Sequence, residues 1–332
     1  MMKHWTSLIF VVVMAGGAAA CNIPVFRYAL ERWRPDPCQL VVFHEGPLDA
    51  AAAKEVAKLR QLPSLAAEKS NTEIVYYDLL QTNKTSDSGS FEPAKLWEDL
   101  NGHESRSLPY VAMRATHSRG TVIGWHGLLK DAPPIVLDSP IRQQLTARLL
   151  NGDSIVWLLL KSSIEQRNDA VRVLLQAECN ELSKSLKLPE GIGLPGSELH
   201  SDVPLFLKFT VLEFSREDAQ EQFLVRLFSG FQPEAIADDQ PLLIPVFGRG
   251  RALEVLPANQ LDAQLIQDVT KFLCGACSCQ VKESNPGFDL LLNADWDVEL
   301  FGEGGLSPPP AKTLVEPGQA PQLLTIPSGR KK

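Results

Sequence analysis

The chain has 332 residues, a formal charge of −8 and an apolar fraction of 44%. That is enough chain for two ordinary domains, with a globular balance of apolar and charged residues. An acidic chain of this kind excludes a general nucleic-acid binder, because affinity for phosphate backbones rests on basic surface. Aromatic residues at 7% give no dense surface for stacking on sugars.

Residues 1–20 read as a secretory leader. Lys3 and His4 make a short cationic start, residues 5–14 are mostly apolar, and residues 16–20 are all small. Ala18-Ala19-Ala20 fits an A-x-A cleavage site. The apolar run is shorter than the ~20 residues that a bilayer-spanning helix needs. Cys21 follows directly. The segment Ala18-Ala19-Ala20-Cys21 resembles a bacterial lipobox, with Ala18 standing where leucine is commonest. The resemblance implies a lipoprotein: exported, attached to a membrane through lipid on Cys21, and facing the periplasm or the cell surface. A soluble exported protein and a retained membrane span are the other two readings.

Residues 21–37 form an arm. Phe26, Leu30 and Trp33 fall at i, i+4 and i+7, one face of a helix, while Arg27, Glu31 and Arg34 repeat the spacing on another face. The arm either lies on lipid headgroups through Arg27, Arg32 and Arg34 or packs its apolar face on the first domain. Pro35 and Pro37 end it.

The first domain is expected over residues 38–152. Residues 39–44 read as a buried strand, and Asp49 caps a helix through Leu62. A second strand spans 73–80, followed by a polar loop at 82–90. Pro109 leads a third strand at 110–115, and a fourth follows at 120–125. Ser139 then caps a helix with Pro140 at its first position and Gly152 past its end. The second domain, over residues 153–300, repeats the order. Residues 154–160 are a strand, and Ser162 with Glu165 forms a capping box for a long helix. Strands are expected at 205–214, 223–228 and 242–247, with a hairpin through 251–256. Asn259 caps the last long helix. Residues 301–332, rich in Gly and Pro, read as a disordered tail.

The order β-α-β, then a proline-led β-hairpin and a closing helix, resembles a thioredoxin-type domain, over residues 38–152 and more loosely over 154–273. The fold class expected is therefore α/β: two thioredoxin-like units in tandem, with mixed sheets flanked by helices. In that family a proline, usually cis, leads the third core strand, which Pro109 and Pro241 match. Its redox activity needs Cys-x-x-Cys after the first strand. Here those positions read His44-Glu45-Gly46-Pro47 and Lys161-Ser162-Ser163-Ile164. The resemblance implies the fold without the redox chemistry. The opening phrase CNIPVFRYALERW is also similar to a group of bacterial secreted proteins, which implies no activity.

The sharpest local feature is Cys274-Gly275-Ala276-Cys277-Ser278-Cys279. Cys274 falls at a helix C-terminus, with Gly275 as its C′ residue, where the dipole disfavours a thiolate. A structural disulfide in an oxidising compartment is the leading reading. A redox-active pair, or a zinc site completed by Cys38 or Cys179, are the alternatives. If Cys21 is acylated, five cysteines remain and one stays free; Cys179, on the core face of its helix, is that one. His44 and Glu45 end the first strand, where open α/β sheets place ligands, and with Pro109 they form a candidate binding site. The plainer reading is a pair of polar residues at a strand end. Asp295, Asp297 and Glu299 alternate along an extended face, and Arg249 and Arg251 flank Gly250 at a hairpin tip that can touch phosphate. No cofactor and no metal are assigned. The function expected is a non-catalytic binding or scaffold role at the envelope, with an envelope protein as partner. The alternative is a thiol-disulfide or metal-handling protein using Cys274, Cys277 and Cys279.

Overall fold

The computed structural model of the protein describes residues 22–61, 70–81, 92–101, 107–117, 120–132, 136–277 and 280–303. The leader, Cys21, the loop expected at 82–90, Cys279 and the tail from residue 304 lie outside the described residues. In chain order the elements are α1 (Val25–Arg32), β1 (Cys38–His44), α2 (Ala50–Gln61), β2 (Thr72–Asp78), α3 (Pro93–Asn101), β3 (Tyr110–His117), β4 (Gly120–Leu128) and α4 (Pro140–Leu150). Then follow β5 (Ile155–Leu160), α5 (Glu165–Ser185), β6 (Phe209–Phe214), α6 (Gln222–Phe231), α7 (Pro233–Ala237), β7 (Leu242–Phe247), β8 (Arg251–Ala252), β9 (Leu256–Pro257), α8 (Ala263–Cys274), β10 (Phe288–Asp289) and α9 (Trp296–Phe301).

Two mixed sheets flanked by helices make an α/β fold. The first has the order β2-β1-β3-β4, with β1 parallel to β2 and antiparallel to β3. The second repeats this arrangement: β5 is parallel to β6 and antiparallel to β7, and β8 and β10 extend it beyond β7. The Leu108–Pro109 bond is cis.

Strand chemistry explains the layering. Side chains alternate across a strand, so a strand apolar at every position must be covered on both faces. In β5, Val156, Leu158 and Leu160 enter one core, while Ile155, Trp157 and Leu159 enter another. In β1, Leu40 and Val42 enter that same first core, and Val41 and Phe43 face a third cluster with Trp97 of α3. The two sheets therefore share one apolar layer, filled by α4 and α6, and that core is continuous across residue 152. Helix α6 crosses β4 closely: a Cβ on Gly124 would lie 2.4 Å from the Phe223 ring, and one on Gly230 would lie 2.6 Å from Val122.

Several expectations change. Residues 223–228 are helical in α6, not a strand. Phe223, Leu224, Leu227 and Phe228 are buried at helical spacing, a short apolar run that periodicity alone does not resolve. Helix α3 was not expected at all. Asp49 does cap α2, accepting from the Ala52 amide at 2.7 Å. Helix α8 is capped by Asp262, which accepts from the Leu265 amide at 2.8 Å, and not by Asn259. The Ser162–Glu165 box does not form: buried Asn168 accepts from the Ser162 amide at 2.9 Å and donates to the Ser162 carbonyl at 3.1 Å. Ser139 starts α4 without a capping bond of its own. Its place is taken by Glu221, which accepts from the Ile141 amide at 2.8 Å and the Ser139 hydroxyl at 2.6 Å. The stretch carrying Asp295, Asp297 and Glu299 is not extended but opens α9.

The arm is corrected most. Phe26 and Trp33 pack on the outer face of the second sheet while Leu30 joins the core shared with the first, and of the three arginines Arg27 is buried and Arg34 stays exposed. Ile23, Val25, Phe26 and Trp33 join Trp157, Phe247 and Ile266 in one cluster. An α-helix of 8 residues is marginal alone, whereas burying each large apolar side chain contributes about 1.5–3 kcal/mol. Arg27 is 1% exposed and pairs with Glu31 at 2.8 Å. It also donates to the carbonyls of Ser201 at 2.6 Å and Val203 at 2.7 Å. Arg249, expected at an exposed tip, is buried instead and donates to the carbonyls of Leu30 and Glu31, a cation on the negative end of α1.

Two stability outcomes follow from these contacts. Gly124→Ala is expected to cost about 1–3 kcal/mol through overpacking, read as a lower urea midpoint at unchanged slope, with Phe223→Leu recovering part of it in the double variant. Glu31→Ala leaves the buried Arg27 without its counter-charge and is expected to cost about 3–5 kcal/mol in the same measurement.

Candidate functional site

The end of β1 carries His44, Glu45 and, across the sheet, Pro109. The pairing of Phe43 with Tyr110 brings Pro109 to the same sheet end as His44. The polar atoms there are turned onto the chain itself. His44 Nδ1 lies 2.7 Å from the Gly46 carbonyl, so that nitrogen carries the proton. Asp78 accepts from the Gly46 and Leu80 amides, each at 3.0 Å, and these two bonds hold its carboxyl below the ordinary carboxylate range. Glu45 is exposed and Pro109 half-buried. The three residues share a neighbourhood, and its hydrogen bonds close a turn.

The matching end of β5 is closed in the same way. The Ser163 amide and hydroxyl donate to Asp239 at 3.1 and 2.6 Å, and Arg216 pairs with that carboxylate at 2.8 Å. The Ser163 bonds and Arg216 hold the Asp239 carboxyl low. An internal carboxylate thus occupies the start of α5, where the helix dipole and backbone amides favour an anion.

The cysteine cluster is held in the second core. Cys274 and Cys277 are each 2% exposed. No disulfide joins them to each other or to Cys38 or Cys179, and Cys279 lies outside the described residues. Burial pushes the Cys274 thiol up to about 12, and it does the same to Cys179 and Cys38. Cys38 belongs to the shared core and its thiol donates to the Arg114 carbonyl at 3.2 Å, so it does not complete a site with Cys274. Among the described residues no three His, Cys, Asp or Glu side chains gather as metal ligands. Gly275 is not a left-handed C′ residue, since its φ is −77°. It is required by closeness, because a Cβ would meet the Lys271 carbonyl at 2.9 Å. The segment it opens is tied to the arm: Val25 donates to the Gly275 carbonyl at 3.0 Å and Cys277 to the Ile23 carbonyl at 2.9 Å.

A cleft of about 450 Å³ lies elsewhere, lined by Arg34, Ser70, Asn71, Asp295, Trp296 and Asp297 among others. Asp297 pairs with Arg249 at 2.8 Å, while the Arg34 side chain is 86% exposed at the rim. Its lining is mixed, and the Asp297 carboxylate and the Asn71 amide are bonded within the chain. No motif announces this cleft, because its walls are more than two hundred residues apart in sequence. Arg251, the other hairpin arginine, is also buried. It pairs with Asp289 at 3.3 Å, beside the Lys282–Asp289 pair, and donates to the Asn285, Pro286 and Gly287 carbonyls.

No family model, curated protein or solved structure matches this chain. No helix among the described residues is long and apolar enough to cross a membrane.

Raising a thiol from 9.0 to about 12 lowers its thiolate fraction at neutral pH about a thousandfold. Iodoacetamide at pH 8 is therefore expected to leave Cys179 and Cys274 unmodified in the native protein and to alkylate both after unfolding in urea. Peptide mass mapping reads the difference.

Proposed function

We propose that this protein is an exported, non-catalytic binding or scaffold protein, attached to a bacterial membrane through lipid on Cys21 and built from two thioredoxin-type units that lack redox cysteines. The observation that carries the non-catalytic part is the closure of both strand ends. Open α/β sheets bind substrates there, and here His44, Gly46 and Asp78 fill one end while Ser163, Asp239 and Arg216 fill the other. The repeated strand order supports the thioredoxin-type reading. The thiol-disulfide or metal-handling alternative draws no support from Cys274, whose sulfur is buried and held as a thiol.

Binding falls instead to surface features such as the Arg34 cleft, which an envelope protein can reach. The anchor is a matter of covalent chemistry. The Cys21 sulfur takes the diacylglyceryl group of a glycerophospholipid, releasing the head-group phosphate and the thiol proton, and water then cleaves the Ala20–Cys21 bond.

Intact-mass analysis of the protein from its native membrane fraction tests this reading. The expected mass lacks residues 1–20 and carries a diacylglyceryl group on Cys21, and Cys21→Ala is expected to move the protein out of the membrane fraction. An unmodified N-terminal cysteine or a retained Met1 overturns the anchor. Disulfide reductase or metal-binding activity that Cys274→Ser abolishes, without loss of stability, overturns the scaffold role.

A further inference from the structure

The described chain begins at Asn22, which is fixed on the folded body. The amide that joins residues 21 and 22 donates to Ser197 Oγ at 3.0 Å. Ile23 is fully buried and α1 begins at Val25. No flexible linker therefore separates residue 22 from the core. Cys21 is one peptide bond, about 3.8 Å of chain, from Asn22.

The surface at Asn22 is the loop between α5 and β6. Gly191 packs against Asn22: with φ +85° it has left-handed backbone, and a Cβ there would come 2.7 Å from the Asn22 side-chain nitrogen Nδ2 and 3.6 Å from Leu194 Cδ1. The loop is braced by its own bonds. The Gly193 amide donates to the Ser197 carbonyl at 2.8 Å, Leu194 to Gly191 at 3.2 Å, and Ser197 to Leu194 at 2.8 Å. The tip it presents is apolar. Leu194 is 61% exposed, and Pro195 is exposed beside it. The neighbouring exposed charges, Lys187, Glu190 and Glu198, are of mixed sign.

We propose that the loop at 191–196 is a membrane-docking face, with Leu194 inserted into the lipid interface beside the anchor; this rests on the lipoprotein reading of Cys21. An apolar side chain beside a lipid-bearing residue enters the interface without a further loss of translational freedom, because the anchor has already confined the body. The mixed charge makes the docking independent of anionic lipid. Val173, 70% exposed near the middle of α5, lies roughly 18 Å along the helix from its C-terminal end and serves as the reference position.

The test uses the full lipidated chain in phosphatidylcholine vesicles, with Cys279→Ser as background and a nitroxide label at Leu194→Cys or Val173→Cys. Intact mass first establishes diacylglyceryl on Cys21. The expected result is a several-fold fall in collisions with a water-soluble nickel chelate, and a rise with oxygen, at position 194 relative to 173, unchanged when phosphatidylglycerol is added. If Cys21 carries lipid and both labels stay equally open to the chelate, the docking face is wrong and the anchor stands. A label at 194 that is immobilised but shows no gain in oxygen collisions means that protein covers the tip, and this also overturns the proposal. If Cys21 carries no lipid, the anchor and the docking face fall together.

Discussion

A strand that is apolar on both faces needs two covers, and β5 imposes that demand on everything around it. All six of its residues are buried. One cover comes from the layer shared with the first sheet, where α4 and α6 meet. The other comes from α5, α8 and the N-terminal helix. Neither cover is complete without a distant part of the chain. The first half contributes α4 to the strand of the second half, and the second half contributes α6 to β4 of the first. Glu221 binds this exchange: it sits before α6 and accepts from the Ile141 amide and the Ser139 hydroxyl at the start of α4. Arg142 lies alongside, fully buried, with its guanidinium 4.8 Å over the Phe223 ring.

Three of the buried cations share one use. Arg27, Arg249 and Arg251 each donate to two or more backbone carbonyls as well as to a carboxylate. Planar guanidinium with five donors suits that work, where a lysine would leave carbonyls unmet. Their desolvation is costly, and such pairs are weak sources of net stability. Their effect is to fix position. The arm has one register on the second sheet, because a shift by one residue would take Arg27 off the Ser201 and Val203 carbonyls and Glu31 off the His200 and Ser201 amides.

The strands with continuous apolar sequence were legible, since QLVVFH, SIVWLLL and LLIPVF admit little else in a chain of this size. The caps at Asp49 and the Pro140 start of α4 were legible too, because local chemistry decides them. What was not legible depended on partners far away. The run FLVRLF is helix or strand by pattern, and only the groove at Gly124 and Gly230 selects the helix. Arg249 and Arg251 look like a solvent-facing tip, and nothing nearby in sequence says that α1 and Asp289 wait for them. The cleft at Arg34 and Asn71 has no local signature at all, and the closure of the strand ends depends on Asp78 and Asp239, each remote from the turn it seals.

The pairing of residues 23–25 with 275–277 has a consequence in time. Trp33 bonds to the Gln280 carbonyl across 247 residues. In a chain made N-terminus first, at roughly 5–20 residues per second, the carbonyl that Trp33 bonds is made roughly 12–50 s after Trp33 itself. In that interval the arm lacks its backbone bonds to residues 275–277 and part of its apolar cover. A chain that stops near residue 260 has α5 on the outer face of the second sheet but lacks α8 and the segment at 275–277, and so leaves that face and the arm partly uncovered.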